Sequence, residues 1–155
     1  MSKIALFPGS FDPFTIGHES IVRRAMPLFD KIIIAIGFNT KKMGYFPLEQ
    51  RVEWIHSVFT NDDQVEVEVF EGLTVDFCLK KGANYILRGL RTSSDFEYER
   101  MIGQMNRSMH PDIETVFLLT QPEHTHVAST VVRDIIMHGG DASIFLPKEI
   151  KILSK

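Results

Sequence analysis

Four stretches of this 155-residue chain carry groups able to grip an oxyanion, and each follows a short apolar run. Pro8-Gly9-Ser10-Phe11-Asp12-Pro13-Phe14-Thr15-Ile16-Gly17-His18 follows Ile4-Ala5-Leu6-Phe7, and Asn39-Thr40-Lys41-Lys42 follows Ile32-Ile33-Ile34-Ala35-Ile36. Arg88-Gly89-Leu90-Arg91 follows Tyr85-Ile86-Leu87, and the stretch from His124 to Thr130 comes after Thr115-Val116-Phe117-Leu118-Leu119. Gly9 and Gly17 permit close backbone approach to a ligand, while His18 falls in the first turn of an expected helix, whose free N–H groups and dipole favour an anion. Arg88 and Arg91 offer two guanidinium forks for bidentate oxyanion contact. Ser129-Thr130 add hydroxyls at a further helix start, and Lys41-Lys42 add loop charge. Together these groups describe phosphate binding.

Each cluster also has a plainer reading. Gly9, Pro13 and Gly17 can shape a tight connection, the arginine and lysine pairs can be solvated, and Ser129 can be an N-cap. The convergence of all four on strand ends favours phosphate. His124 and His126 have no third ligand nearby and no cysteine cluster, so no metal site built from protein side chains is expected. No Gly-x-x-x-x-Gly-Lys-Ser/Thr, Gly-x-Gly-x-x-Gly or Gly-x-Ser-x-Gly occurs, which removes support for P-loop, dinucleotide and hydrolase readings.

Positioning these loops requires an alternation of strands and helices. Strands are expected at Ile4–Phe7, Ile32–Ile36, Val65–Val69, Tyr85–Leu87 and Thr115–Leu119. Helices are expected over about 17–29, 48–59, 73–80 (ended by Gly82), 94–109, 129–137 and 147–153. This order predicts one α/β domain over residues 1–155, a Rossmann-like, doubly wound fold with a five-stranded parallel sheet and helices on both faces. Strands one, two and five, nearly all apolar, read as covered on both faces, whereas the alternating Val65-Glu66-Val67-Glu68-Val69 belongs at an edge. Ligands of such sheets bind beyond the carboxyl ends of the strands, where the four clusters lie.

Composition narrows the partners. Seventeen Lys+Arg against 20 Asp+Glu give a net charge of -3, which offers no global attraction for nucleic acid or anionic membranes, so neither partner is expected. Hydrophobic residues at 44% promise a packed core. One cysteine, Cys78, and no apolar stretch of membrane-spanning length lead to an expectation of a reduced, cytoplasmic setting.

Thr15-Ile16-Gly17-His18 resembles the (His/Thr)-x-Gly-His motif of the nucleotidylyltransferase superfamily. Pro-Gly-Ser-Phe-Asp-Pro at 8–13, Leu-Arg-Gly-Leu-Arg at 87–91, Asp-Phe-Glu-Tyr-Glu at 95–99 and the Ser129-Thr130 helix start, in that order, resemble the phosphopantetheine adenylyltransferase family over nearly the whole chain. The resemblance implies an enzyme that transfers the adenylyl group of ATP to 4'-phosphopantetheine, giving dephospho-coenzyme A and pyrophosphate. It further implies in-line attack without a covalent enzyme intermediate, a requirement for Mg2+ carried by ATP, a homohexamer, and coenzyme A as a feedback ligand.

Carried over position by position, the resemblance makes His18, Ser10, Lys42 and Arg91 the catalytic set. Ser10, Lys42, Thr74, Arg88 and Asn106 would bind phosphopantetheine. ATP would meet Ser10, Phe11, His18, Gly89, Leu90, Arg91 and Glu99, with His124, Thr125, His126, Val127, Ala128, Ser129 and Thr130 around adenine and phosphates. Two positions depart from the family pattern: His124 stands where relatives often have an aromatic ring and Ala128 where many have serine, whereas Ser10, where threonine is common, keeps the hydroxyl. The competing readings are a small nucleotidylyltransferase with another acceptor, such as nicotinamide mononucleotide, and a nucleotide sensor without turnover.

Overall fold

A computed structural model describes residues 1–152. Five strands, β1 (Ile4–Gly9), β2 (Lys31–Gly37), β3 (Val65–Phe70), β4 (Tyr85–Leu90) and β5 (Glu114–Leu119), alternate with α1 (Ile16–Ala25), α2 (Leu48–Val58), α3 (Thr74–Lys81), α4 (Ser93–Met109) and α5 (Ser129–Met137). All pairings are parallel, in the order β3-β2-β1-β4-β5. This is the expected single-domain, Rossmann-like α/β fold with helices on both faces. The chain winds outward from β1 through β2 to β3, then returns to β1's other side for β4 and β5. The direction therefore reverses between β1 and β4, the point where sheets of this kind open a ligand crevice.

Side-chain alternation along β1 and β2 sorts the core into two layers. Ala5, Phe7, Ile32, Ile34 and Ile36 face one side with Val22, Ala25, Ile55 and Val132, from α1, α2 and α5. Leu6, Ile33 and Ala35 face the other with Val75, Phe77 and Cys78 of α3. Burial pushes the Cys78 thiol up to about 12, so it behaves as an apolar filler. Gly82, at φ 68°, ends α3 in the left-handed conformation that a C-terminal glycine supplies without steric cost. Among the described residues, no helix is long and apolar enough to cross a membrane.

Three expectations change. β3 is the edge its alternation implied, but β5 forms the opposite edge, partly buried throughout its middle and with Leu119 73% exposed, so its apolar composition does not reflect cover on both faces. The first helix stops at Ala25 and tightens into a 3₁₀ turn at Met26–Leu28, where Pro27 has no N–H to extend the ladder. No helix runs through 147–152; Leu153 lies outside the described residues. Leu146 and Ile150 are instead both buried by a turn in which the Ile150 N–H donates to Pro147 O at 3.0 Å.

Candidate active site

β1 and β4 pair only through Ala5–Tyr85 and Leu6–Ile86, then splay apart. Arg88 reaches across the gap, its Nη1 donating to Pro8 O at 2.6 Å. Two clefts flank this bridge. One, about 320 Å³, runs over the starts of α1 and α5, and the other, about 280 Å³, lies between β4, α3 and α4. Pro8, Gly9, Ser10, Arg88 and Glu99 line both. A two-substrate reaction needs such a shared wall, because the reacting atoms must meet while the rest of each molecule sits apart.

His18 is fixed from both sides. Thr15 is the N-cap of α1, and the two residues form a reciprocal capping box: the His18 N–H donates to Thr15 Oγ1 at 3.4 Å, and the Thr15 N–H donates to His18 Nδ1 at 3.0 Å. Because Nδ1 accepts, the proton of the neutral ring belongs on Nε2. The rings of Phe11, Phe14 and Phe7 surround the imidazole at centroid distances of 5.0, 5.3 and 6.3 Å. This burial, reinforced by the Arg88 and Arg91 charges, depresses the His18 pKa to about 3. His18 is thus a neutral N–H donor lining the first cleft.

The arginines are preoriented by carboxylates. Arg88 Nε and Nη2 donate to Glu99 at 2.5–3.1 Å, and Arg91 Nε donates to Asp95 Oδ2 at 3.3 Å. Asp95 and Thr120, which also line the first cleft, were not picked out from the sequence as ligand contacts. Asp95 could have been: it stands four residues after Arg91, at a helix start. Ala128, not Ser129, is the N-cap of α5 and carries no capping hydroxyl, while Ser129 Oγ donates to Pro13 O at 2.9 Å. The α5 N-terminus therefore presents backbone N–H groups to the cleft.

Of the predicted site residues, Ser10, Phe11, His18, Arg88, Gly89, Arg91, Glu99, His124, Val127, Ala128, Ser129 and Thr130 line the first cleft. Ser10, Thr74, Arg88, Glu99 and Asn106 line the second, together with the apolar Phe70, Ile86 and Ile102. Four lie outside both linings. Lys42 sits on an exposed turn closed by its own N–H to Asn39 O, Leu90 is buried, and Thr125 is exposed beside His126, whose ring packs near Phe145 at 6.2 Å. Among the described residues, no three His, Cys, Asp or Glu side chains gather as a metal site.

Two anion-ready helix starts and a cationic bridge at the switch point of this sheet define a nucleotidylyltransferase-type site. A model of the cytidylyltransferase-like family matches residues 6–135. The phosphopantetheine adenylyltransferase of Cytophaga hutchinsonii is 53% identical over 150 residues, 97% of this chain and 100% of the relative; that of Leptospira biflexa is 50% identical, covering 95% and 92%. The chain belongs to the phosphopantetheine adenylyltransferase family of nucleotidyltransferase enzymes. Solved structures repeat the fold at low identity. A bifunctional NMN adenylyltransferase/ADP ribose pyrophosphatase from Francisella tularensis superposes with a TM-score of 0.70 at 22% identity, over 94% of this chain and 45% of that one. The nicotinic acid mononucleotide adenylyltransferase of Plasmodium falciparum gives 0.65 at 15%, over 97% and 93%.

Proposed function

We propose that this enzyme transfers the adenylyl group of ATP to 4'-phosphopantetheine, releasing pyrophosphate and forming dephospho-coenzyme A. The observation carrying this reading is the pair of clefts that share Ser10, Arg88 and Glu99. ATP occupies the cleft over α1 and α5, with its phosphates at the helix starts. The pantetheine arm occupies the more apolar cleft, where Thr74 and Asn106 supply polar groups beside Phe70, Ile86 and Ile102. The acceptor phosphate lies at the shared wall, held by Arg88 and by Lys42 once its turn folds inward.

The acceptor phosphate is already anionic at neutral pH, so attack on the α-phosphorus needs guidance past charge repulsion more than deprotonation. Arg88, Arg91 and Lys42 screen the approach. His18 Nε2–H and Ser10 donate to the transferring phosphate as charge builds on its equatorial oxygens, and pyrophosphate leaves in line without an enzyme-bound intermediate. Bound Mg2+ would neutralise triphosphate charge. The carboxylates that line the first cleft, Asp95 and Glu99, are paired with Arg91 and Arg88, so ATP rather than a protein side chain would hold the ion. The enzyme works in the cytoplasm, as a homohexamer that the exposed Tyr98, Met101 and Met105 of α4 help assemble, with coenzyme A competing as a feedback ligand.

The test is pyrophosphate release from MgATP with 4'-phosphopantetheine, with nicotinamide mononucleotide, and with no acceptor. Release is expected with phosphopantetheine alone, and His18→Ala should lower kcat ~100-fold or more by removing a transition-state donor. Release with nicotinamide mononucleotide only would overturn the acceptor, and a His18→Ala rate within a few-fold of wild type would overturn the role of His18.

A further inference from the structure

The phosphate loop after β1 and the strap of residues 39–46 after β2 meet at one buried pair, Asp12 and Arg51, which the reaction above does not use. Arg51 lies on the buried face of α2 with Trp54, Ile55 and Val58. Its Nη1 donates to Ser10 O at 2.7 Å and its Nε to Phe46 O at 3.1 Å, with Asp12 Oδ1 at 3.9 Å from Nε. The Asp12 carboxylate accepts the Tyr45 and Phe46 N–H groups at 2.7 and 2.9 Å, and Arg133 Nη1 donates to Asp12 O at 2.7 Å. Gly44 leaves room for this clasp: a Cβ there would stand 2.9 Å from both Arg51 Nη2 and Asp12 Oδ2.

The consequence lies one atom further on. In a trans peptide the C=O and N–H point to opposite sides, so drawing Ser10 O toward α2 turns the Phe11 N–H away from α2, and Ser10 and Phe11 both line the first cleft. Among the described residues, nothing accepts that N–H. Phe11 sits at φ 47°, a conformation that non-glycine residues hold only when their surroundings impose it. The Arg51 fork is a buried tether able to impose it.

We infer that Arg51 is a positioning residue: by holding the Ser10 carbonyl it aims the Phe11 N–H into the first cleft as a fixed donor to a polyphosphate, and through Asp12 it ties the Lys42 strap to the same loop. The inference rests on reading that cleft as a polyphosphate site, and it is independent of the acceptor.

The test uses the full chain labelled with ¹⁵N-phenylalanine and titrated with inorganic pyrophosphate, with circular dichroism to establish folding. The Phe11 amide should move downfield in wild type, and in Arg51→Gln the movement should shrink about threefold or more. If Arg51→Gln does not fold, Arg51→Lys serves, since an ammonium keeps the charge but cannot span both carbonyls as a planar fork does; its shift should fall about twofold. A Phe11 amide indifferent to pyrophosphate in wild type overturns the inference, as does a wild-type shift in either folded variant. A wild-type Phe11 response that disappears in the Arg51 variants, from a protein that releases pyrophosphate only with a different acceptor, would uphold the inference while overturning the proposed substrate.

Discussion

A partly buried neutral histidine makes stability depend on pH in a direction the structure dictates. In the unfolded chain the His18 imidazole takes up a proton near 6.5, whereas in the folded protein it refuses one until about pH 3. Between those values the unfolded state binds more protons, so stability contributed by His18 is complete above 6.5 and falls as the pH falls. Each pH unit of that window carries ~1.4 kcal/mol, so lowering the pH from 7 to 4 would remove ~3 kcal/mol for a ring wholly shielded from water. His18 is only partly buried and lines an open cleft, which trims the expectation to ~2 kcal/mol. The assay is urea unfolding of wild type and His18→Gln at pH 7, 6, 5 and 4. Glutamine does not titrate, and effects of the carboxylates shared by both proteins cancel in the difference. The wild-type advantage should shrink by ~2 kcal/mol over this range. A difference that stays flat would refute the reasoning, as would ¹⁵N spectra in which the His18 ring of the free protein gains a proton near pH 6.5.

Two substitutions examine the walls of the clefts. Gly9→Ala places a Cβ 2.9 Å from the Phe11 ring, which is packed against Phe7 and Phe14 and has little room to retreat. The expected cost is ~1–3 kcal/mol with weakened ATP binding, measured by thermal unfolding and ATP titration; wild-type values for both would show that the ring is free to move. Glu99→Gln removes the charge that holds Arg88 Nε and Nη2. It should raise KM for the phosphorylated acceptor ~10-fold or more through loss of charge-assisted bonds, and unchanged steady-state kinetics would dismiss Glu99 as the residue that orients Arg88.

Local pattern made the architecture legible where one residue reports one environment. The run Ile32–Ile36, all fully buried, announces a central strand, and the Val/Glu alternation of β3 announces an edge. β5 misled because its apolar run does not mark a covered strand: it sits at the sheet edge, and α4 lies against it and leaves it half-covered. The residues lining the first cleft were readable because most of them sit at strand ends, where a parallel sheet exposes its ligand crevice. The clasp was not, since Asp12 and Arg51 act on backbone groups 34 and 41 residues away, and a backbone group leaves no mark in the sequence. A faint signal existed. Val52, Ile55 and Phe59 stand at helical spacing in the sequence, yet in α2 Arg51 is buried beside Trp54, Ile55 and Val58, a charge where the core should be. A buried guanidinium needs partners, and asking for them would have led back to the loop after β1.

The protonation state of His18 also bears on why a neutral ring suits the proposed chemistry. A cationic imidazole would attract the phosphates of ATP before and during reaction alike, and binding both states equally lowers KM without raising kcat. A neutral Nε2–H, aimed by the Thr15–His18 box, donates one directed hydrogen bond whose strength grows with the charge on the oxygen it meets. That charge grows at the equatorial oxygens in the transition state, so the donor favours it over the ground state. Long-range attraction is left to Arg88 and Arg91, and their carboxylate partners hold these guanidinium planes in place before substrate arrives. Burial by three phenylalanines and the nearness of two arginines, each of which would be a liability for a histidine required as an acid, are here the means of keeping the donor uncharged.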